Sequence, residues 1–353
     1  MNSGMSLVAL AQELERQVET RQDFVTPASR VELTVAGSGA VQLQGLPTGP
    51  LDITTNAHQQ IREYTGVPAK YYDRMLTEAP ELLASNVNTW LGREYSAKRL
   101  VRTLDGKARA FLSNRYRPLD NYDLATAVLP TLRDSGAVVR SASITETRLY
   151  IKATLPSLSR EVRGSVRRGD IVEAGISISN SEVGKGALSV DPFFLFLVCL
   201  NGAVRESAFR RYHVGKAIDV DAAYEVFTDN TRKLDDAAFF SKVTDVVKAS
   251  FDIEIFEAEM LKFESATQQR IEGDPAKAID AVIERLALPP ATRPGVLRNL
   301  IEGGDLSRFG VMNAVTALAN DETDYEVSTL LERAGGKVIE LSDKDWSVVA
   351  QAA

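Results

Sequence analysis

The chain is poor in the residues that most often carry chemistry. Its 353 residues include one cysteine, Cys199, and two histidines, His58 and His213. One thiol forms no intramolecular disulfide, and the usual Cys/His zinc cages cannot be assembled from this set. Long apolar runs are missing too. The longest, Pro192 to Leu200 (PFFLFLVCL), has nine residues, against roughly 20 needed to cross a bilayer. It reads as a buried core segment, with Cys199 as an inert core thiol. The first residues lack a basic n-region, and their apolar stretch is broken by Gln12 and Glu13, so no secretory leader is expected. A reducing, cytoplasmic setting without membrane contact follows as the expectation.

Nucleotide and catalytic motifs are scarce as well. Gly184-Lys185-Gly186 lacks both the upstream glycine and the downstream hydroxyl of a phosphate loop, and reads as a hairpin turn. No GxGxxG sits where a strand would pass into a helix. His58 falls in a predicted helix and His213 beside Arg210 and Arg211, neither with a nucleophile in an identifiable motif. No catalytic residue, cofactor or metal is assigned.

What the chain does have is charge, unevenly spread. The net value of −7 describes a mildly acidic protein and argues, as a bulk number, against nucleic acid. Residues 1–92 carry 6 basic and 10 acidic side chains, net −4. Residues 93–216 carry 21 against 12, net +9, and residues 217–353 carry 14 against 26, net −12. A basic middle between acidic ends marks a candidate polyanion site.

Periodicity predicts an α+β fold in three parts. Residues 1–92 form a helical and hairpin lead-in. Leu7, Leu10, Leu14 and Val18 share a helical face, 31–35 and 40–46 pair as a hairpin, and two short helices cover about 55–65 and 68–91, with Thr54 or Thr55 as cap. Residues 93–216 form a basic, β-hairpin-rich core. Strands 98–104 and 107–113 flank Asp105-Gly106, whose type I′ turn needs positive φ at both positions. A helix starting at Asp120 or Asn121 and closed by Gly136 then leads to strand pairs 137–145/147–155 and 170–181/186–198. From about 217 the pattern is helical and acidic.

The basic centre offers a platform for a single nucleic-acid strand. In strand 148–153, Arg148, Tyr150 and Lys152 alternate onto one face, where cations meet phosphates and a ring stacks on a base. Arg115-Tyr116-Arg117 repeats the composition, and Arg102 and Arg109 lie on the first hairpin. The segment 158–169, read as a loop, carries Arg160, Arg163, Arg167 and Arg168, and Lys185, Arg210 and Arg211 extend the set. Arginine suits bidentate phosphate contact. Charge reversal at Arg148, Lys152, Arg167 and Arg168 is expected to abolish binding with the fold intact. A rival reading takes Asp170, Glu173, Glu182 and Asp191, with Lys185, as the magnesium site of a nuclease, although Glu182-Val183-Gly184-Lys185 has one residue too many for a Glu-x-Lys motif.

Three strings carry a family resemblance: RAFLSNRYRPLDN (109–121), SISNSEVGKGALSVDPFFLFLVCLNGAV (177–204), and GVMNAVTALAND (310–321) followed by LERAGGKVIEL. With these strings the chain, from about Asn86 onward, resembles the phage- and plasmid-encoded family known as domain of unknown function 932. Asn180, Ser181, Glu182, Gly184, Cys199, Asn201 and Gly202 match its pattern. The resemblance implies a mobile-element protein in a bacterial cytoplasm and no particular reaction. The order of hairpin, helix and further hairpins is also similar to the core of phage and Rad-fifty-two-group single-strand annealing proteins, which implies a homo-oligomeric ring with a basic groove. The resulting expectation is ATP-independent binding or annealing of single-stranded DNA in recombination or replication. The acidic region would bind a protein partner or cover the basic surface. A nuclease, or an anti-defence or virion interaction factor, is the alternative.

Overall fold

The computed structural model describes residues 4–93, 97–166, 169–205, 210–211 and 229–352. Local signals set many of its elements. Ser6 caps helix α1 (Leu7–Thr20) by accepting from Ala9 N, and Thr54 caps α2 (Thr55–Thr65) by accepting from Ala57 N. Only Leu10 and Leu14 of the expected apolar stripe on α1 are buried, while Leu7 and Val18 face outward. The segment expected to hold one helix over 68–91 is divided into α3 (Ala69–Glu78) and α4 (Pro80–Leu91). Pro80 lacks the N–H that a continuous helix would need there.

The first sheet has six strands in the order β1-β5-β6-β4-β3-β2. These are β1 (Gln22–Pro27), β2 (Glu32–Val35), β3 (Val41–Gln44), β4 (Leu51–Ile53), β5 (Lys98–Leu104) and β6 (Lys107–Ser113). The sheet therefore takes strands from both sides of the boundary placed at 92/93. Its β5–β6 turn has φ of 51° at Asp105 and 71° at Gly106, the left-handed pair that a type I′ turn requires. Helices α2, α3 and α4 cover one face around Ile61, Tyr72, Leu83, Val87 and Phe111. Against Leu100, Ala110 and Leu112 on the other face lie Tyr116 and Val183.

The second sheet runs β11-β10-β9-β8-β7, all antiparallel, with β12 (Arg210–Arg211) pairing to β10. Its strands are β7 (Val138–Ile144), β8 (Leu149–Glu161), β9 (Ile171–Asn180), β10 (Leu188–Phe196) and β11 (Asn201–Val204). Leu149, Ile151, Ala153, Ile176, Ile178 and Val190 point to one face and pack with α1, α5 (Asn121–Asp134) and helix Asp229–Ala249. The same face continues towards the other end of β9 and β10. Val172, Ala174, Phe194 and Phe196 join a large apolar core with the C-terminal helices, where Phe263 and Phe309 make edge contacts with Phe196. The opposite face is polar, with Lys152, Ser177, Ser179 and Asp191, and lies under helix Tyr325–Glu340. That helix sits directly on the sheet backbone: a Cβ at Gly336 would come 2.0 Å from Val204 O.

The architecture is α+β, with a helical C-terminal region packed onto a sheet. Among the described residues no helix is long and apolar enough to cross a membrane. Within the apolar run, Phe193 to Phe196 are core. Val198 and Leu200 are exposed in the following turn, and Cys199 beside them is half-buried, which corrects its reading as a core thiol.

Candidate functional site: the cleft between the sheets

The turn that joins β9 to β10 lies against the first sheet, and many of its polar groups are claimed by the N-terminal part of the chain. Asn180 donates to Leu119 O (2.7 Å) and to Asn121 Oδ1 (2.8 Å). Tyr116 OH donates to Ser181 O (2.8 Å) and accepts from Gly184 N, and burial pushes its pKa up. Val183 O accepts from Gln60 (2.7 Å) and Asn56 (3.3 Å), both on α2. Lys185 Nζ donates to Gln59 Oε1 at 2.5 Å. Gly184 and Gly186 hold φ of +78° and +150°, which lets the chain reverse here.

Beneath the turn lies a charged knot. Arg102 on β5 is fully buried and donates to Asp23 (2.8 Å), Asp120 (2.8 Å) and Glu182 O (2.9 Å). Burial opposes its charge, yet Asp120 and Asp23 outweigh it and hold the guanidinium above its ordinary pKa. Arg21 adds a pair to Asp120 at 2.9 Å. Glu182 is buried, paired to Arg109 at 2.8 Å, and accepts from Asn121 N at 2.6 Å. Two of the strings behind the family resemblance thus meet here.

Above the knot opens a cleft of about 350 Å³. Arg16 and Gln17 of α1 form one side. Thr54, Lys107 and Arg109 form the first-sheet wall, and Thr145, Glu146, Thr147 and Arg148 come from the β7–β8 turn. Glu13, Asp105 and Glu182 interleave carboxylates with the four cations. Among the described residues nothing accepts from Arg109 Nε, which is itself buried.

Of the expected nucleic-acid contacts, Arg102, Arg109, Tyr116, Arg148 and Lys185 converge on this turn, but Arg102, Arg109 and Tyr116 are buried, Arg109 reaching the cleft only at its wall. Strand 148–153 corrects its reading more sharply. Arg148, Tyr150 and Lys152 do share a face, but helix Tyr325–Glu340 covers it at Tyr150 and Lys152, leaving Arg148 at the cleft. Tyr150 packs on Tyr325 with ring centroids 5.2 Å apart, and Lys152 pairs with Glu332 at 2.5 Å, both side chains with no exposure. Arg160 lies in β8 rather than a loop and pairs with Glu257 and Glu264. Arg117 pairs with Asp235. Arg115 and Arg163 are exposed and away from the cleft lining. Arg210 and Arg211 form β12, while Arg167, Arg168 and His213 lie outside the described residues.

The acidic set for a nuclease is not brought together. Glu182 pairs with Arg109, Glu173 with Arg140 (2.7 Å) and Asp191 with Arg333 (2.6 Å), while Asp170 accepts from Ser165. All four are buried. Among the described residues no three His, Cys, Asp or Glu side chains are grouped to hold a metal ion. His58 is structural: Nδ1 lies 2.9 Å from Tyr72 OH, and burial pushes its pKa down to about 4.

Sequence reading missed Arg16, Arg21, Thr54 and Lys107 as site members, since they lie on separate elements with no local pattern linking them. For the C-terminal acidity it offered two roles, binding a protein partner or covering the basic surface. In the fold, Glu257, Glu259, Glu264, Glu332 and Glu340 pair with Arg160, Lys152 and Arg205, and only the Lys152–Glu332 pair is wholly buried. No family model, curated protein or solved structure matches this chain.

Proposed function

We propose that the chain binds single-stranded DNA in the cleft between its two sheets, without a nucleotide cofactor, as a mobile-element protein acting in strand annealing or protection. The observation that carries this reading is the convergence of Arg16, Lys107, Arg109 and Arg148, from α1, β6 and the β7–β8 turn, on one cleft of nucleotide size. The cations meet phosphates. Gln17, Thr54, Thr145, Thr147 and the carboxylates supply donors and acceptors for sugar and base edges. With few cations present, affinity rests less on charge than a broad basic groove would make it. Annealing needs two strands held together, so the proposal includes self-association of the chain in the bacterial cytoplasm.

Fluorescence anisotropy with a labelled single-stranded oligonucleotide over a salt series tests it. Binding at about 50 mM salt that weakens towards about 200 mM is expected, with a log–log slope of about −0.7 per phosphate neutralised. Lys107→Glu and Arg148→Gln should each weaken it. No binding at low salt, or binding indifferent to salt and to both substitutions, would overturn the proposal.

A further inference from the structure

At the mouth of the cleft, one carboxylate sits in a donor set suited to a phosphate. Asp105 Oδ1 accepts from Arg16 Nη1 at 2.6 Å and from Thr20 Oγ1 at 2.7 Å. Lys107, two residues on, adds positive charge. Arginine and hydroxyl donors converging on one anionic oxygen, with a lysine charge nearby, are what proteins turn towards phosphodiesters. The other side of the Arg16 fork is fixed, since Nε and Nη2 both donate to Glu13 at 2.8 and 2.7 Å. The guanidinium is therefore held in place with Nη1 directed at Asp105. The contact also ties α1, packed on the second sheet, to the β5–β6 turn of the first, so it spans the cleft.

We infer that Asp105 occupies the position of a strand phosphate, and that a single-stranded nucleic acid enters the cleft by displacing the Asp105 carboxylate from Arg16 and Thr20. This rests on the proposed function. It adds a specific anion position and a built-in competitor, which that reading does not require. The exchange is feasible because Arg16 and Asp105 are about 40% exposed, at 44% and 41%, and exposed pairs are weak.

The test is Asp105→Asn. Asparagine accepts the left-handed φ of 51° and Asn-Gly is the preferred type I′ pair, so the hairpin should survive, as an unchanged circular dichroism melt would show. The wild-type protein and this variant are titrated with the same labelled oligonucleotide. The variant should bind about two- to fivefold tighter, the range set by releasing one exposed ion pair. Its salt slope should steepen by about 0.7 as Arg16 gains a phosphate. Repeating the substitution in an Arg16→Gln background separates this from a general loss of negative charge, because the gain should vanish there. An equal gain without Arg16, or no gain at all while the wild type still binds, overturns the inference and leaves the proposed function standing. Failure of the wild type to bind removes both.

Discussion

Lys152 on β8 and Glu332 on helix Tyr325–Glu340 form an ion pair of 2.5 Å with both side chains wholly buried, between the second sheet and the C-terminal helices. Thr329 Oγ1 accepts a further bond from Lys152 Nζ at 3.3 Å, and the ammonium also lies 4.6 Å from the Tyr325 ring centroid. Burial pulls the Lys152 pKa down and Glu332 opposes it.

Removing one partner leaves the other charged and buried. Lys152→Met or Glu332→Gln should each cost about 3–5 kcal/mol, measured by urea unfolding. The double variant Lys152→Met/Glu332→Leu should recover most of the loss, because an apolar pair of similar volume needs no desolvation of ions. Lys152→Glu, which would put two carboxylates together in the interior, should fail to fold instead of yielding a folded protein with lost DNA binding. A double variant no more stable than the worse single one would show that the site depends on the charges themselves.

Arg102 is the cation whose loss should spread furthest. It donates to carboxylates on two segments and to the backbone of the β9–β10 turn. Arg102→Met should destabilise by about 3–5 kcal/mol by leaving Asp23 and Asp120 without it. Arg102→Lys should recover only part, since one ammonium cannot reproduce the planar fork. Thermal unfolding of both variants measures this, and a wild-type melting point for Arg102→Lys would refute it.

His58 gives the stability curve its acid shoulder. Its folded pKa is about 4, and the unfolded value is near 6.5. Below about pH 6.5 the unfolded chain takes a proton that the folded one refuses. Stability is therefore fully present at neutral pH and lost as pH falls from about 6.5 to about 4, by up to about 3 kcal/mol from this group. His58→Gln should flatten that part of the profile when urea midpoints are compared across the pH series. An unchanged acid limb would assign the loss to other groups.

Helix packing should be sensitive too, though less than the buried charges. Gly336→Ala places a methyl 2.0 Å from Val204 O, so the helix must lift from β11. A loss of about 1–3 kcal/mol is expected from the melting curve.

Legibility followed range. The Asp105-Gly106 turn and the Thr54 cap are decided within a few residues, by sterics and by one side-chain acceptor, and both are plain in the string. Alternation in strand 148–153 likewise revealed that Arg148, Tyr150 and Lys152 share a face. It held no information about what covers that face, because Glu332 and Tyr325 lie far along the chain. The same limit explains the charge blocks. A basic middle and an acidic end are what two surfaces need in order to neutralise each other, and composition reads identically whether the partner is a polyanion or the chain itself. Grouping Arg109 with Glu182 required the fold, since neither residue signals the other locally.

The β9–β10 turn also sets an order on assembly. Asn56, Gln59 and Gln60 bond to Val183 and Lys185 across sequence separations of 123 to 127. Closure over such sequence separations is entropically costly until the flanking sheets exist, so the cleft belongs to the late, high-contact-order part of folding. During synthesis its floor does not exist until residue 186 has left the ribosome. A nascent chain stopped before that point therefore exposes Arg102 and Arg109 without the turn that organises them.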